Sequence, residues 1–158
     1  MTANIFDFAG TIAVMDNDAG PRLSPKKTEY IKFLNGRTGP VKTNDIAREF
    51  GVDPSTITKT VVELAGEGFV EYLPYHGVVL SVKGKAAAEF MVKRHRILAL
   101  AFTHFGLSSD QACSEVSRFE SLVSKSAIDT MCRAMGHPRR GICGDITHDN
   151  GCLGSGET

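Results

Sequence analysis

The sequence predicts a mainly α-helical fold with one small β-hairpin, arranged as a winged helix-turn-helix domain followed by an all-helical dimerisation domain. Two short amphipathic segments separated by a tight break predict the helix-turn-helix. The β-rich runs FVEYL and VVLSV, joined by PYHG, predict the hairpin that forms the wing. A long helical segment, largely apolar in its second half, predicts the centre of a second domain.

The first predicted helix begins at Pro25, because Ser24 supplies a capping side chain and proline is favoured at the first helical position. It ends before Gly36. Its apolar stripe consists of Tyr30, Ile31, Phe33 and Leu34. The second predicted helix begins at Thr43 and ends at Gly51. Its apolar face consists of Ile46, Ala47 and Phe50.

The third predicted helix follows almost at once, with Asp53 as its cap and Pro54 as its first residue. Its inward residues recur at helical spacing and are Ile57, Val61 and Leu64. After the hairpin, Ser81 or Val82 leads into the long helix, which ends at Gly106. Because its second half is apolar on nearly all sides, we expect a dimer interface to cover it.

Two shorter helices are expected near residues 109–122 and 124–135. From Gly141 onward, five glycines among 18 residues predict a flexible tail. The predicted organisation is an N-terminal arm, a winged helix-turn-helix domain, a helical dimerisation and metal-binding domain, and a Gly-rich Cys/His tail, at residues 1–23, 24–83, 84–140 and 141–158.

Charge is distributed unevenly although the whole chain is neutral, with 18 residues of each sign. Residues 23–96 carry 12 basic and 8 acidic side chains, whereas residues 97–158 carry 5 and 7. A basic first half favours double-stranded DNA as a partner. The sequence contains neither a glycine-rich phosphate loop nor a nucleophile elbow, so we expect no enzyme activity and no small organic substrate.

Four cysteines lie in the last third of the chain, and no secretory leader precedes them. This pattern favours a cytoplasmic protein whose cysteines bind metal or respond to oxidation. The apolar segment at residues 5–15 is too short to span a membrane, so we expect no membrane partner.

The third helix is the predicted recognition helix, since its outward face is polar and its inward face is apolar. The outward side chains that can reach phosphates or base edges are Ser55, Thr56, Thr58 and Lys59. Thr43, at the start of the preceding helix, is placed to bind a phosphate. Tyr75 and His76, at the tip of the wing, are expected to contact the DNA backbone or minor groove.

The run NDIAREFGVDPSTITKTVVELAGEGFVEYLPYHGVVLSVKGKAAA, followed by KRHRIL, resembles the diphtheria toxin repressor family of iron- and manganese-dependent regulators. The resemblance covers roughly residues 24–136. It implies a homodimeric repressor in which a divalent metal ion, acting as co-repressor, binds between the two domains and fixes the recognition helices for operator DNA. The chain is too short for the SH3-like third domain that some members carry.

The family's ligand positions are only partly retained. They fall on His95, Glu29, Glu120 and Cys113. Three other positions have lost their ligands and carry Ala99, Ser117 and Ser121. A further acidic position of the manganese branch falls on Lys32. The resemblance therefore implies a weakened main site, with Glu29 and Glu120 as a weak pair or as ordinary surface or interface acids.

The C-terminal region offers replacement ligands. Its Cys and His residues are Cys132, His137, Cys143, His148 and Cys152. We expect Cys143, with His137 or His148, to complete a site on His95 and Cys113. Thiolate and imidazole ligands favour Fe(II), Zn(II) or Co(II) over Mn(II), with Fe(II) first.

Two other functions are compatible with the residues. The chain could be a DNA-binding regulator whose metal switch has decayed and which responds to oxidation through Cys113 and Cys143. It could also be a zinc-stabilised interaction module. Without the resemblance, His95 and Cys113 would be interpreted as packed core residues.

Overall fold

The computed structural model describes residues 20–153. Most of the predicted arm (1–23) and the last five residues of the predicted tail therefore lie outside the described residues. The first part contains α1 (Pro25–Asn35), α2 (Thr43–Phe50), α3 (Pro54–Gly66), β1 (Val70–Leu73) and β2 (Gly77–Leu80). The second part contains α4 (Val82–His104), α5 (Ser109–Phe119), a 3₁₀ turn (Glu120–Leu122), α6 (Lys125–Ala134), β3 (Arg140–Gly141), β4 (Gly144–Asp145) and α7 (Asn150–Leu153).

The helix starts follow from side-chain caps. Ser24 accepts a hydrogen bond from the backbone of Lys27, and Asp53 Oδ1 accepts one from the amide of Ser55 at 2.8 Å. Between α2 and α3, Gly51 has a φ of 61°, a left-handed conformation that glycine adopts without a Cβ clash. The predicted helix-turn-helix is therefore confirmed.

The wing is an antiparallel β1–β2 ribbon in which Val70 pairs with Leu80. A bridge between Val41 and Val78 ties the ribbon to the segment before α2. The apolar faces of α1, α2, α3 and the wing enclose one core, centred on fully buried side chains such as Ile31 and Ile57.

Helix α4 joins this core to a second one. Its first half packs Ala88 and Met91 into the winged-helix core, and its second half packs Ile97 and Ala99 against α5 and α6. The mainly α fold with a winged helix-turn-helix and a helical second part is confirmed. The exact boundary between residues 83 and 84 stays a prediction.

The predicted flexible tail is wrong for residues 141–153. This segment forms the β3–β4 hairpin and α7, and it buries Ile146 and Cys152 in the second core. The high glycine content predicted flexibility, but a glycine-rich segment can still be ordered when a few of its side chains are buried. The β3–β4 hairpin is also an addition to a part that was expected to be all helical.

Among residues 20–153, no helix combines the length and the apolarity that a membrane crossing requires.

Candidate metal centres and DNA-binding face

Helix α3 presents the predicted polar face to solvent. The four exposed side chains on this face are Ser55, Thr56, Thr58 and Lys59. Ile57 and Leu64 on the opposite face are completely buried. The hydroxyl of Thr58 donates to the carbonyl of Pro54 at 3.0 Å, so it has only acceptor capacity left for a ligand.

The other predicted DNA contacts flank this helix. Thr43 is partly buried at the start of α2. Tyr75 is 98% exposed at the tip of the wing and has a φ of 65°, and His76 beside it is also exposed. The described residues leave this face uncovered, as a DNA-reading surface requires.

A first cluster, called here the three-ligand cluster, brings together His95, Cys113 and Cys143. These residues come from α4, α5 and the β3–β4 hairpin, and their ligand atoms all lie within 4.8 Å of one another. His95 and Cys113 are partly buried, whereas Cys143 is exposed. Three protein ligands with one exposed side leave a coordination position open, as in metal sites whose fourth ligand is a water molecule or a substrate.

The hairpin reaches this cluster because it docks on α4. The guanidinium Nη1 of Arg96 donates to the carbonyl of Asp145. Gly144 lies directly against the same guanidinium and has a φ of 137°, and a Cβ at this position would lie 2.6 Å from Arg96 Nη2. Only glycine permits this approach, which holds Cys143 above His95.

Glu120 connects the three-ligand cluster to the winged helix. Its carboxylate is buried, with Oε2 2.5 Å from Nδ1 of His95 and Oε1 2.6 Å from Nζ of Lys32 on α1. Burial alone would raise the pKa of Glu120, but hydrogen bonds from His95 and Lys32 outweigh it, and the pKa lies below its usual range. Because Nδ1 of His95 is bound to Glu120, Nε2 is the nitrogen left for a metal ion.

The expected grouping of ligands needs one correction. His137 and His148 are grouped with Cys132 and Cys152 and not with the three-ligand cluster, since the loops before and after the hairpin bring them to the end of α6 and to α7. Glu29 is exposed and belongs to neither cluster of the described residues, and its pairing with Glu120 stays a prediction.

The second group, called here the four-ligand cluster, consists of Cys132, His137, His148 and Cys152. Its ligand atoms also lie within 4.8 Å of one another, and both cysteines are buried. Burial, with a smaller contribution from Cys152, raises the pKa of the Cys132 thiol to about 11. In the sequence, the four ligands have the spacing C-x4-H-x10-H-x3-C. This spacing could have indicated the cluster only if Cys143, which lies between the two histidines, had been left out, and nothing local in the sequence indicates that it should be.

Two family profiles match consecutive parts of the chain. The iron dependent repressor N-terminal DNA binding domain matches residues 22–78, and the iron dependent repressor metal binding and dimerisation domain matches residues 81–147. The HTH-type transcriptional regulator MntR of Lysinibacillus sphaericus (strain C3-41) is 31% identical over 101 residues, which are 64% of this chain and 73% of that protein.

This chain belongs to the iron-dependent repressor family. The resemblance to the diphtheria toxin repressor family is thereby confirmed. Membership makes the chain a metal-dependent transcriptional regulator and not an enzyme. A divalent metal ion is its cofactor, and its two domains imply DNA and a second copy of the chain as partners.

Solved structures share the fold of this chain. The hypothetical protein SSo2273 from Sulfolobus solfataricus is 24% identical with a TM-score of 0.68, and the match covers 78% of this chain and 96% of that one. A manganese-dependent transcriptional repressor in complex with manganese is 28% identical with a TM-score of 0.61. That match covers 73% of this chain but only 55% of the other, so the chain spans about half of that repressor.

Proposed function

We propose that this chain is a homodimeric repressor that binds operator DNA when a divalent transition metal occupies the three-ligand cluster. The observation that carries this proposal is the convergence of His95, Cys113 and Cys143 from three separate elements. Two thiolates and an imidazole around an open position form a site that a metal ion can enter and leave. Occupancy can therefore follow the metal supply.

Coupling from metal to DNA runs through Glu120. A metal on Nε2 of His95 fixes the imidazole, whose Nδ1 holds Glu120, and Glu120 holds Lys32 on α1 of the winged helix. A metal that binds this arrangement better than looser ones shifts the population towards it by its difference in affinity. The recognition helices of the two subunits are then fixed at a spacing that fits successive grooves.

The ligand chemistry favours Fe(II), Zn(II) and Co(II) over Mn(II), and we propose Fe(II) among the three. Thiolate ligands suit iron, zinc and cobalt, whereas manganese prefers oxygen ligands. The family profile over this part of the chain is named for iron dependence, whereas a 28% identical solved structure is of a manganese-dependent repressor, so the comparisons support a divalent metal ion without choosing between the two.

The DNA contacts are proposed for one continuous face. Lys59 and Thr56 on α3 reach into the major groove, and Ser55 and Thr58 add hydroxyl contacts. Thr43 binds a phosphate, and Tyr75 and His76 of the wing contact the adjacent backbone. The exposure of all these side chains except the partly buried Thr43 supports the assignment.

The decisive experiment measures fluorescence anisotropy of labelled promoter DNA under anaerobic, reducing conditions. Protein treated with a chelator should bind the DNA weakly, and added Fe(II) should raise the affinity for DNA more than added Mn(II) does. Cys113→Ser and Cys143→Ser should lose this gain, whereas Ser114→Ala, an exposed neighbour on α5, should keep it. An affinity that no metal changes under these conditions, but that oxidant changes in a parallel titration without reductant, would overturn the proposal.

A second variant tests the coupling. Glu120→Gln should weaken metal binding by about 10- to 100-fold, the usual effect of losing a carboxylate that orients a ligand histidine. It should also reduce the gain in DNA affinity at saturating metal, since Lys32 loses its ionic partner. Unchanged DNA affinity at saturating metal would show that Glu120 only supports the metal site.

A further inference from the structure

The four-ligand cluster is assembled from three regions of the second part of the chain. Cys132 lies in the last turn of α6, His137 and His148 lie in the loops that flank the β3–β4 hairpin, and Cys152 lies in α7. Cys132 and Cys152 are 0% and 1% exposed, and both histidines are partly buried. The repressor mechanism proposed above uses none of these side chains.

Distances within the four-ligand cluster match a tetrahedral zinc site. Cys132 Sγ lies 3.6 Å from His137 Nδ1 and 3.5 Å from His148 Nδ1. Cys152 Sγ lies 3.5 Å and 3.9 Å from the same two nitrogens. Zinc bonds of about 2.3 Å to sulfur and about 2.0 Å to nitrogen give a tetrahedral sulfur–nitrogen edge of about 3.5 Å.

Hydrogen bonds among the four side chains do not account for this convergence. Nε2 of His148 lies 3.1 Å from the carbonyl of Pro138, to which it donates, so Nδ1 of His148 carries a lone pair. Two thiols have only two protons to share among four sulfur–nitrogen contacts. A single cation at the centre satisfies both thiolates and both imidazoles at once, and the hydrogen bond to Pro138 is the outer contact that zinc-bound histidines commonly make.

The backbone turn at the end of α6 brings His137 to the four-ligand cluster, with the amide of His137 donating to the carbonyl of Cys132 at 2.9 Å. The φ of His137 is 53°, a left-handed conformation that is uncommon for a residue with a Cβ. Gly136 before it has a φ of 73°, and together they reverse the chain at the end of α6. This turn brings Nδ1 of His137 back to both thiols.

Charges around the four-ligand cluster suit a neutral metal centre. Zn(II) with two thiolates and two neutral imidazoles carries no net charge. Buried Lys93 interacts with Cys152 and forms a 2.6 Å ion pair with Asp129. Lys125 in turn bridges Asp129 and Asp149, so the surrounding cations and anions are also matched.

We propose that Cys132, His137, His148 and Cys152 bind one structural Zn(II) ion, distinct from the regulatory metal at the three-ligand cluster. Four protein ligands, two of them inaccessible to solvent, make a closed site, and closed zinc sites stabilise folds instead of exchanging with the metal supply. The zinc pins residues 137–152, and these residues include the hairpin that carries Cys143. The structural zinc ion is therefore required for the three-ligand cluster to form.

The test measures metal content of the full chain, purified with reductant and dialysed against EDTA. The wild type should keep about one zinc per chain, as a closed site retains its metal. Cys143→Ser is the matched control, a cysteine-to-serine change in the same segment, and should keep the same amount. Cys152→Ser should lose it. Zinc retained by Cys152→Ser, or absent from the wild type, overturns the proposal.

A spectroscopic measurement covers the case in which Cys152→Ser does not fold. Cobalt(II) incorporated into the Cys143→Ser protein during expression in zinc-depleted, cobalt-supplemented medium should give the intense visible bands of tetrahedral cobalt and a thiolate charge-transfer band. Weak octahedral bands, or a Cys132–Cys152 disulfide found by non-reducing peptide mapping of the protein purified with reductant, would contradict the proposal. Neither readout involves DNA, so a failure of the repressor function leaves this result intact.

Discussion

Glu120 joins the two halves of the chain at the scale of single atoms. One oxygen accepts from His95, a proposed metal ligand, and the other is paired with Lys32 of the winged helix. Lys32 stands where the resemblance to the manganese branch would place an acid. An ammonium group therefore neutralises a carboxylate that would otherwise be free to bind metal, and this favours the three-ligand cluster as the place for the metal.

Lys59 is the residue whose loss should most reduce DNA binding. Lys59→Ala should weaken operator binding by about 1–3 kcal/mol if the amine reads a base, and should lower the salt dependence if it contacts a phosphate. Anisotropy titrations at several salt concentrations separate the two. Arg133→Ala, an exposed cation on α6, is the control and should bind normally. Equal losses of operator affinity in both variants would mean that the change in net charge causes the loss and that Lys59 makes no specific contact.

Asp129 should make stability depend on acid pH. Burial raises its pKa, but hydrogen bonds from Lys125 and Lys93 outweigh this, so the pKa lies below its usual value. A lowered pKa in the folded state adds stability above the unfolded pKa of about 4, and this stability is lost as the pH falls through the folded value. Asp129→Asn should therefore be less stable than the wild type at neutral pH. The difference in free energy of unfolding between the two proteins, called here the stability gap, should narrow in acid.

Denaturant unfolding at neutral and acid pH, with both proteins in the same metal state, measures the stability gap. At neutral pH it should be about 1–3 kcal/mol, because buried Lys93 loses its charged partner. Asp110→Asn, at an exposed position in the first turn of α5, should change stability little at either pH. A stability gap that is constant with pH would rule out Asp129 as the titrating group.

At the scale of elements, the β3–β4 hairpin determines which ligands meet. It is only a few residues long, and it is held by Arg96 on one side and by buried Ile146 on the other. Its flanking loops carry His137 and His148, whereas its turn carries Cys143. One short element thus separates the ligands of the two clusters.

Gly144→Ala should displace this hairpin. A methyl group would collide with the Arg96 guanidinium and strain a φ of 137°. We expect weaker metal binding at the three-ligand cluster, measured by cobalt titration, with DNA binding by the winged helix itself intact. Gly39→Ala is the matched control, since nothing lies within 4 Å of its Cβ position. Wild-type cobalt affinity in Gly144→Ala would mean that the hairpin does not deliver Cys143.

At the scale of the whole molecule, α4 belongs to both cores and contacts α1, α5 and α6. Within one stretch of this helix, Lys93 faces the four-ligand cluster, and His95 and Arg96 face the three-ligand cluster and the hairpin. We therefore expect a change at either cluster to be felt by the winged helix through α4.

The dimer should depend on apolar side chains that remain exposed in the second part of the chain. Phe105 at the end of α4 is 84% exposed and Leu122 is 85% exposed. Phe105→Asp should shift the protein from dimer to monomer in analytical ultracentrifugation and should weaken operator binding, because two half-sites are then no longer bound together. Tyr72→Ser, which removes an exposed aromatic ring from the wing, should remain dimeric. A dimeric Phe105→Asp would place the interface elsewhere.

Much of the fold could be predicted because its signals are local. Ser24, Asp53 and the prolines after them mark helix starts through bonds made within one turn. The buried side chains Ile57, Val61 and Leu64 recur at helical spacing, which the sequence displays directly. His95, Cys113 and Cys143 could be proposed together only through the family resemblance and the chemistry of their side chains.

The sequence by itself determined the order of the helices, the polar face of α3 and the pool of cysteines and histidines. Tertiary structure alone decided how that pool divides, which carboxylate accompanies His95, and that residues 141–153 are folded. The physical reason is distance along the chain. Ligands such as Cys113 and Cys143 meet only after α4, α5 and the hairpin have packed, and the packing of distant elements leaves no periodic signal in the sequence.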